Sequence, residues 1–282
     1  MSVAKPKPSA SLSPGNWWRW LPLGGLLALF VAADVMIAAV VDAQGDEEGG
    51  FILGITFSQV VLLAVWTALA PARLITRTLT GFIGATLLGM TLVACIYRVA
   101  PGGPQAWLFF GIVLTIWLAI QVPLWIFRWF GWRLSWPGEE VGSGSQRDLQ
   151  FGIGQLMTWT ALVAVALGIG RILMPDDLEF QSRDARHLVS VFATLTVFSS
   201  LLAWPVVWST LAPRWWFFWI AASGCCIVFL TVVEIVVFSA AMGRGSGDEE
   251  IFWIMNVMQA LIAGFTLMMM RASGFRLVRV GT

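Results

Sequence analysis

Two acids stand where acids are rare. Asp34 and Glu234 each interrupt an apolar run, in LALFVAADVMIAAV and VFLTVVEIVVF. A charge at the bilayer centre costs about 2.5 to 3.5 kcal/mol on insertion scales, so such acids face protein or a water-filled cavity, and often serve a pathway. At helical rise Asp34 falls about 4.5 Å, and Glu234 about 9 Å, beyond the middle of its run. Arg98 and Arg171 lie near the outer ends of the third and fifth apolar runs and have side chains long enough to reach inward. Asn256 and Gln259, spaced i, i+3, share one face of the last run, and Gln59 lies near the middle of the second. Buried amides join membrane helices by hydrogen bonds worth about 0.6 to 2 kcal/mol. Two readings stay open for Asp34 and Glu234: structural pairing or protonated burial, and transport or sensing.

Other chemistry is thin. His187 is the single histidine and is expected in a loop beside Arg186. Without a second histidine or a Cys-x-x-Cys pair there is no zinc pattern. Cys95, Cys225 and Cys226 fall inside apolar runs and read as small membrane-buried residues; adjacency of the last two disfavours an ordinary disulfide. Gly243-Arg244-Gly245-Ser246-Gly247 lacks the Lys-Ser/Thr ending of a phosphate loop, and the triads Asp46-Glu47-Glu48 and Asp248-Glu249-Glu250 lack EF-hand spacing. The expectation is no cofactor, no metal and no catalytic residue. An intramembrane enzyme acting on lipid is the one enzymatic form left.

The elements that must position these residues are set by composition. The chain is 58% hydrophobic and 12% charged over 282 residues, with a mean hydropathy of +0.81, far from the roughly 25% charged usage of soluble domains. Eight apolar runs, near 21 to 41, 51 to 70, 78 to 100, 106 to 127, 152 to 174, 188 to 211, 215 to 241 and 251 to 270, are long enough to cross a bilayer. Unpaired backbone groups are so costly in hydrocarbon that each should be a helix. The expected class is an all-α membrane protein with eight transmembrane helices. Arginine and lysine concentrate on one side of such a bundle and acids on the other. The positive-inside rule then puts both termini in the cytoplasm, with the protein in the bacterial inner membrane. Most of the 17 tryptophans fall near the expected cytoplasmic ends, as an interfacial belt does.

The chain also repeats itself. Val65-Trp66-Thr67-Ala68-Leu69-Ala70-Pro71 returns 142 residues later as Val207-Trp208-Ser209-Thr210-Leu211-Ala212-Pro213. Arg128-Trp129-Phe130-Gly131-Trp132-Arg133-Leu134 returns 143 residues later as Arg271-Ala272-Ser273-Gly274-Phe275-Arg276-Leu277. Two matches at nearly one offset suggest tandem parallel four-helix repeats, 17–136 and 151–282, behind a disordered tail at 1–16 and around a Gly/Ser-rich linker at 137–150. Trp66, Trp208, Arg128, Arg133, Arg271 and Arg276 read as topology anchors, with glycines suited to left-handed helix caps between the arginines. At the same offset Glu234 meets Leu92 and Gln59 meets Leu201, so the polar interior is not duplicated. The first run imitates a signal peptide at Val41-Asp42-Ala43, but its length and Asp34 favour retention.

Leu149-Gln150-Phe151-Gly152-Ile153-Gly154-Gln155-Leu156-Met157, with the apolar Thr158 to Leu167 segment after it, resembles a stretch recurring in uncharacterised membrane proteins of planctomycete-type bacteria. The closing Gly274-Phe275-Arg276-Leu277-Val278-Arg279 is similar to the ends of such proteins. That resemblance implies a polytopic membrane protein and brings no activity with it. The expected role is a non-enzymatic scaffold or interaction module whose partners are the lipid bilayer and either another membrane protein or a second copy of the chain, not nucleic acid. The alternative is a small-solute or ion transporter that uses Asp34 and Glu234.

Overall fold

The computed structural model describes residues 21–40, 46–70, 74–99, 106–135, 182–211, 216–242 and 249–279. Among them are seven helices: α1 (Leu21–Val40), α2 (Asp46–Leu69), α3 (Leu74–Val99), α4 (Ala106–Trp129), α5 (Ser182–Leu211), α6 (Trp216–Met242) and α7 (Glu249–Ala272). Two short strands, β1 (Trp132–Ser135) and β2 (Arg276–Arg279), follow α4 and α7. Six helices, α2 to α7, are long and apolar enough to cross a membrane. This is the architecture of a polytopic membrane protein. The tail at 1–16, the linker at 137–150 and the apolar run at 152–174 lie outside the described residues.

Several helices start earlier than hydropathy indicates. α2 takes in Asp46, Glu47 and Glu48, and α5 begins at Ser182, so that Asp184 and His187, expected in a loop, belong to its first two turns. α7 opens on Glu249 and Glu250. Hydropathy marks where hydrocarbon begins, whereas backbone hydrogen bonding sets the helix end, and acids are favoured at the positive end of the helix dipole.

α2 is the centre of the bundle. Phe57, Val60, Val61, Ala64, Val65, Ala68 and Leu69 are all buried on it, so most of its length from Phe57 on is covered. It packs against α3, α4 and, most extensively, α7. Two glycines one turn apart allow that last contact. A Cβ added at Gly50 would lie 2.9 Å from the Ile251 carbonyl oxygen, and one at Gly54 2.7 Å from the Met258 Cβ and 2.8 Å from the Met255 carbonyl oxygen. Gly50-Phe51-Ile52-Leu53-Gly54 is thus a small-xxx-small contact through which two backbones approach closely. Because Gly50 meets Ile251 and Ile254 while Gly54 meets Met255 and Met258, α2 and α7 run side by side in the same direction.

α5 occupies a comparable position in the second half, packed on α6, α4 and α7. The outer faces of α3 and α6 carry exposed Leu79, Leu87, Phe229 and Val236, which suit lipid rather than water. At one end of the bundle β1 and β2 pair antiparallel, with Trp132 opposite Arg279, Arg133 opposite Val278, Leu134 opposite Leu277 and Ser135 opposite Arg276. Leu134 and Leu277 are buried beneath the ribbon. The ribbon is the one non-helical element among the described residues, and no apolar run announces it.

Candidate functional site

Asp34 and Glu234 have separate partners. Asp34, half-buried on α1, accepts a hydrogen bond of 2.7 Å from the Gln59 amide nitrogen on α2. Gln59 is 7% exposed. Asp34 and Gln59 line a cavity of about 380 Å3 walled by Leu62, Leu63, Leu87 and Leu88. A larger cavity of about 890 Å3, between α1, α2 and α7, adjoins it at Phe30 and Thr266.

Glu234 is 0% exposed on α6. Its Oε2 accepts a 2.6 Å bond from the Asn256 amide on α7, and that amide also donates to the Thr231 hydroxyl oxygen at 3.1 Å. Thr231 in turn donates to the Ile227 carbonyl at 2.9 Å. One turn along α7, Gln259 donates to the Ser199 carbonyl of α5 at 3.5 Å, the long limit for such a bond. The second face of this junction is not satisfied by protein: Glu234 Oε1, Asn256 Oδ1, Gln259 Oε1 and Ser199 Oγ are buried without a hydrogen-bond partner. Sealing a carboxyl group in apolar packing is costly, and the Asn256 bond recovers part of that cost while tying α6 to α7. The i, i+3 spacing therefore does place Asn256 and Gln259 on one buried face, but they reach different helices. Arg98 lies exposed in the last turn of α3. Arg171 is outside the described residues. Thr231 and Ser199, which complete the junction, went unnoticed in the sequence because hydroxyl side chains are common in membrane helices.

The arginine and tryptophan positions gather at the ribbon end. Arg128 donates through Nη1 to the Ala68 carbonyl at 3.0 Å, and Arg271 donates through Nη1 to the Thr210 carbonyl at 3.1 Å. In each case a guanidinium from the last turn of one helix meets the final, unpaired carbonyls of another, where the helix dipole favours positive charge. Arg77, only 2% exposed, folds back onto the same end of α2, donating to Ala68 at 3.3 Å and Ala70 at 3.1 Å. The guanidiniums of Arg77 and Arg128 lie 5.2 and 5.6 Å from the Trp125 ring, within cation–π range. Arg77 thus adds a third guanidinium to this end, contributed by the first turn of α3.

Gly131 and Gly274 have φ of 84° and 99°, the left-handed region where a Cβ is strained. Gly274 N–H bonds to Arg271 O at 3.0 Å and Phe275 N–H to Met270 O at 3.1 Å, which is a Schellman cap; Gly131 N–H bonds to Arg128 O at 3.0 Å. These caps turn α4 and α7 into the two strands, placing Arg133 in β1 and Arg276 in β2. Trp66 is half-buried near the end of α2. Trp208 belongs to an aromatic cluster, with ring centroids 5.4 Å from Phe127, 5.6 Å from Trp132 and 6.1 Å from Trp219. It thereby joins α4, β1, α5 and α6.

Among the described residues no three of His, Cys, Asp and Glu come together to hold a metal ion. What the arrangement does chemically is join helices through polar pairs and present Asp34 to an apolar cavity, with Glu48 at the adjoining one. No family model, curated protein or solved structure matches the chain.

Proposed function

We propose that the chain is a non-enzymatic scaffold or interaction module of the bacterial inner membrane, built from two tandem, parallel four-helix copies at 17–136 and 151–282 with both termini cytoplasmic. The observation that carries the scaffold reading is that each intramembrane acid is bonded to an amide on a neighbouring helix, Asp34 to Gln59 and Glu234 to Asn256. Such pairs fix helix against helix.

Element limits support the duplication. Shifting α4 by 143 gives 249–272, the span of α7; shifting α3 by 142 gives 216–241, against 216–242 for α6; shifting α2 by 142 gives 188–211, inside α5. The contacts repeat as well, since Ala68 plus 142 is Thr210 and Arg128 plus 143 is Arg271, the two ends of equivalent hydrogen bonds. At the same offset Leu134 corresponds to Leu277, its own partner in the ribbon, and the Arg133 to Val278 pair corresponds to the Arg276 to Ser135 pair. A local two-fold relation centred on the leucines produces that register. The directions of the described helices are consistent with this arrangement: α4 and α5 both end at the ribbon, and α5 begins about 45 Å away at the far end.

Arg77, Arg128, Arg133, Arg271 and Arg276 at the ribbon end, against Glu48, Glu249 and Glu250 at the other, support a cytoplasmic ribbon. The membrane proteins of planctomycete-type bacteria that the chain resembles are proposed as its kin. The partner is another membrane protein or a second copy of the chain.

The transporter reading is favoured by one observation, the Asp34 side chain lining a cavity. Proteoliposomes holding a pH-sensitive dye separate the two. The scaffold reading expects Asp34→Asn and Glu234→Gln to alter stability or assembly with no change in proton-coupled uptake. Uptake by the natural chain that is lost in both variants overturns it.

A further inference from the structure

The adjoining cavities beside α1 have the size and chemistry of a ligand site. Their volumes, about 380 and 890 Å3, fall in the range of about 300 to 1,000 Å3 that small-molecule pockets occupy, and such pockets are apolar with a few placed polar groups. Here the walls are mostly leucine, isoleucine and phenylalanine; Asp34, held by Gln59, lines the smaller cavity and Glu48 the larger one. Gln59 binds one carboxylate oxygen, Oδ1, and orients the group. Among the described residues that amide is the only hydrogen-bond donor to Asp34, so Oδ2 keeps its lone pairs for a ligand. Among the described residues neither arginine nor lysine lines either cavity.

Negative charge among hydrocarbon walls selects its complement. We propose that this groove binds a lipophilic amine, with the protonated nitrogen on Asp34 and the alkyl portion along α2 and α7. Water is scarce at this depth, so a carboxylate–ammonium contact is stronger than it is at a surface. A neutral molecule of the same shape gains the apolar contact alone. Access is lateral, because exposed Leu29, Val31 and Leu87 flank the groove on the lipid-facing sides of α1 and α3, and an amine dissolved in the bilayer enters between them. Glu234 does not compete for such a ligand, being sealed against Asn256 on a different helix pair.

The test uses the full chain in phosphatidylcholine nanodiscs, with n-decylamine as probe and n-decanol as its neutral match. Tryptophan-fluorescence melting curves are read against probe concentration. The expected result is saturable stabilisation by decylamine, at least a tenfold weaker apparent affinity in Asp34→Asn, and an unchanged affinity in Glu234→Gln. Leu87→Trp, which fills the smaller cavity from an exposed position while leaving the charge in place, is expected to weaken decylamine to a similar degree. If Asp34→Asn does not fold, the Leu87→Trp comparison and the amine-to-alcohol ratio decide alone. Equal responses to decylamine and decanol, undiminished binding in Leu87→Trp or in a folded Asp34→Asn, or equal losses in Asp34→Asn and Glu234→Gln overturn the proposal.

Discussion

Gly54→Ala places one methyl group where two helix backbones meet. Its Cβ would stand 2.7 Å from the Met258 Cβ and 2.8 Å from the Met255 carbonyl oxygen, against a comfortable separation of about 3.5 to 4.0 Å between carbons. Neither neighbour is the free end of a side chain, so α2 and α7 must separate by close to 1 Å along much of the contact, a distance of the order of that shortfall. Overpacking of this kind costs about 1 to 3 kcal/mol. Alanine also raises helix propensity by about 1 kcal/mol over glycine, which would mask part of the loss. Gly224→Ala removes that ambiguity, because a Cβ there meets nothing within 4 Å. The difference between the two variants isolates the clash and is expected to be about 1 to 3 kcal/mol, with Gly54→Ala the less stable. Unfolding in mixed micelles of increasing SDS fraction, followed by tryptophan fluorescence, measures it. Equal stability of the two variants, or a larger loss in Gly224→Ala, refutes the close α2–α7 approach.

Glu234→Leu is expected to lose about 1 to 3 kcal/mol in the same assay, since the Asn256 amide keeps only Thr231, whereas Glu234→Gln retains an acceptor and loses less. Arg271→Met is expected to lose about 1.5 to 3 kcal/mol and Arg128→Met less than that, because Arg77 still serves the Ala68 carbonyl; equal losses contradict the sharing. Leu277→Asp puts a charge beneath the ribbon and is expected to expose β2 to limited proteolysis while the helices keep their far-ultraviolet circular dichroism. An unchanged digestion pattern would show that the ribbon does not depend on that burial.

Helix positions were legible because hydrocarbon demands length: the runs at 106 to 127 and 251 to 270 lie inside α4 and α7, and the run at 51 to 70 passes the end of α2 by one residue. Which helix is central was not legible. In lipid an inward and an outward face are equally apolar, so hydropathy does not separate α2, which is largely buried, from α6, with Phe229 and Val236 exposed. The polar residues carried more information. Asp34, Glu234, Asn256 and Gln259 stood out by rarity alone, but their partners depend on helix rotation, which apolar periodicity leaves unspecified. The ribbon was hidden for another reason: Trp132–Ser135 and Arg276–Arg279 are four residues each, too short for an alternating pattern, and only the repeated glycines at 131 and 274 mark the turns into them. Arg77 was not singled out by sequence, because its return to the end of α2 is a tertiary contact nine residues apart in the chain.

Direction of crossing tests the duplicated architecture most directly. Single cysteines at Ser145 and at Glu179, in a chain whose Cys95, Cys225 and Cys226 are replaced by serine, are labelled with a membrane-impermeant maleimide in right-side-out and inverted vesicles. The account expects the two positions on opposite faces, with Ser145 on the same face as a cysteine at Thr282. Ser145 and Glu179 labelled from one face would contradict it, since the second half would then lack the crossing that makes it a copy of the first.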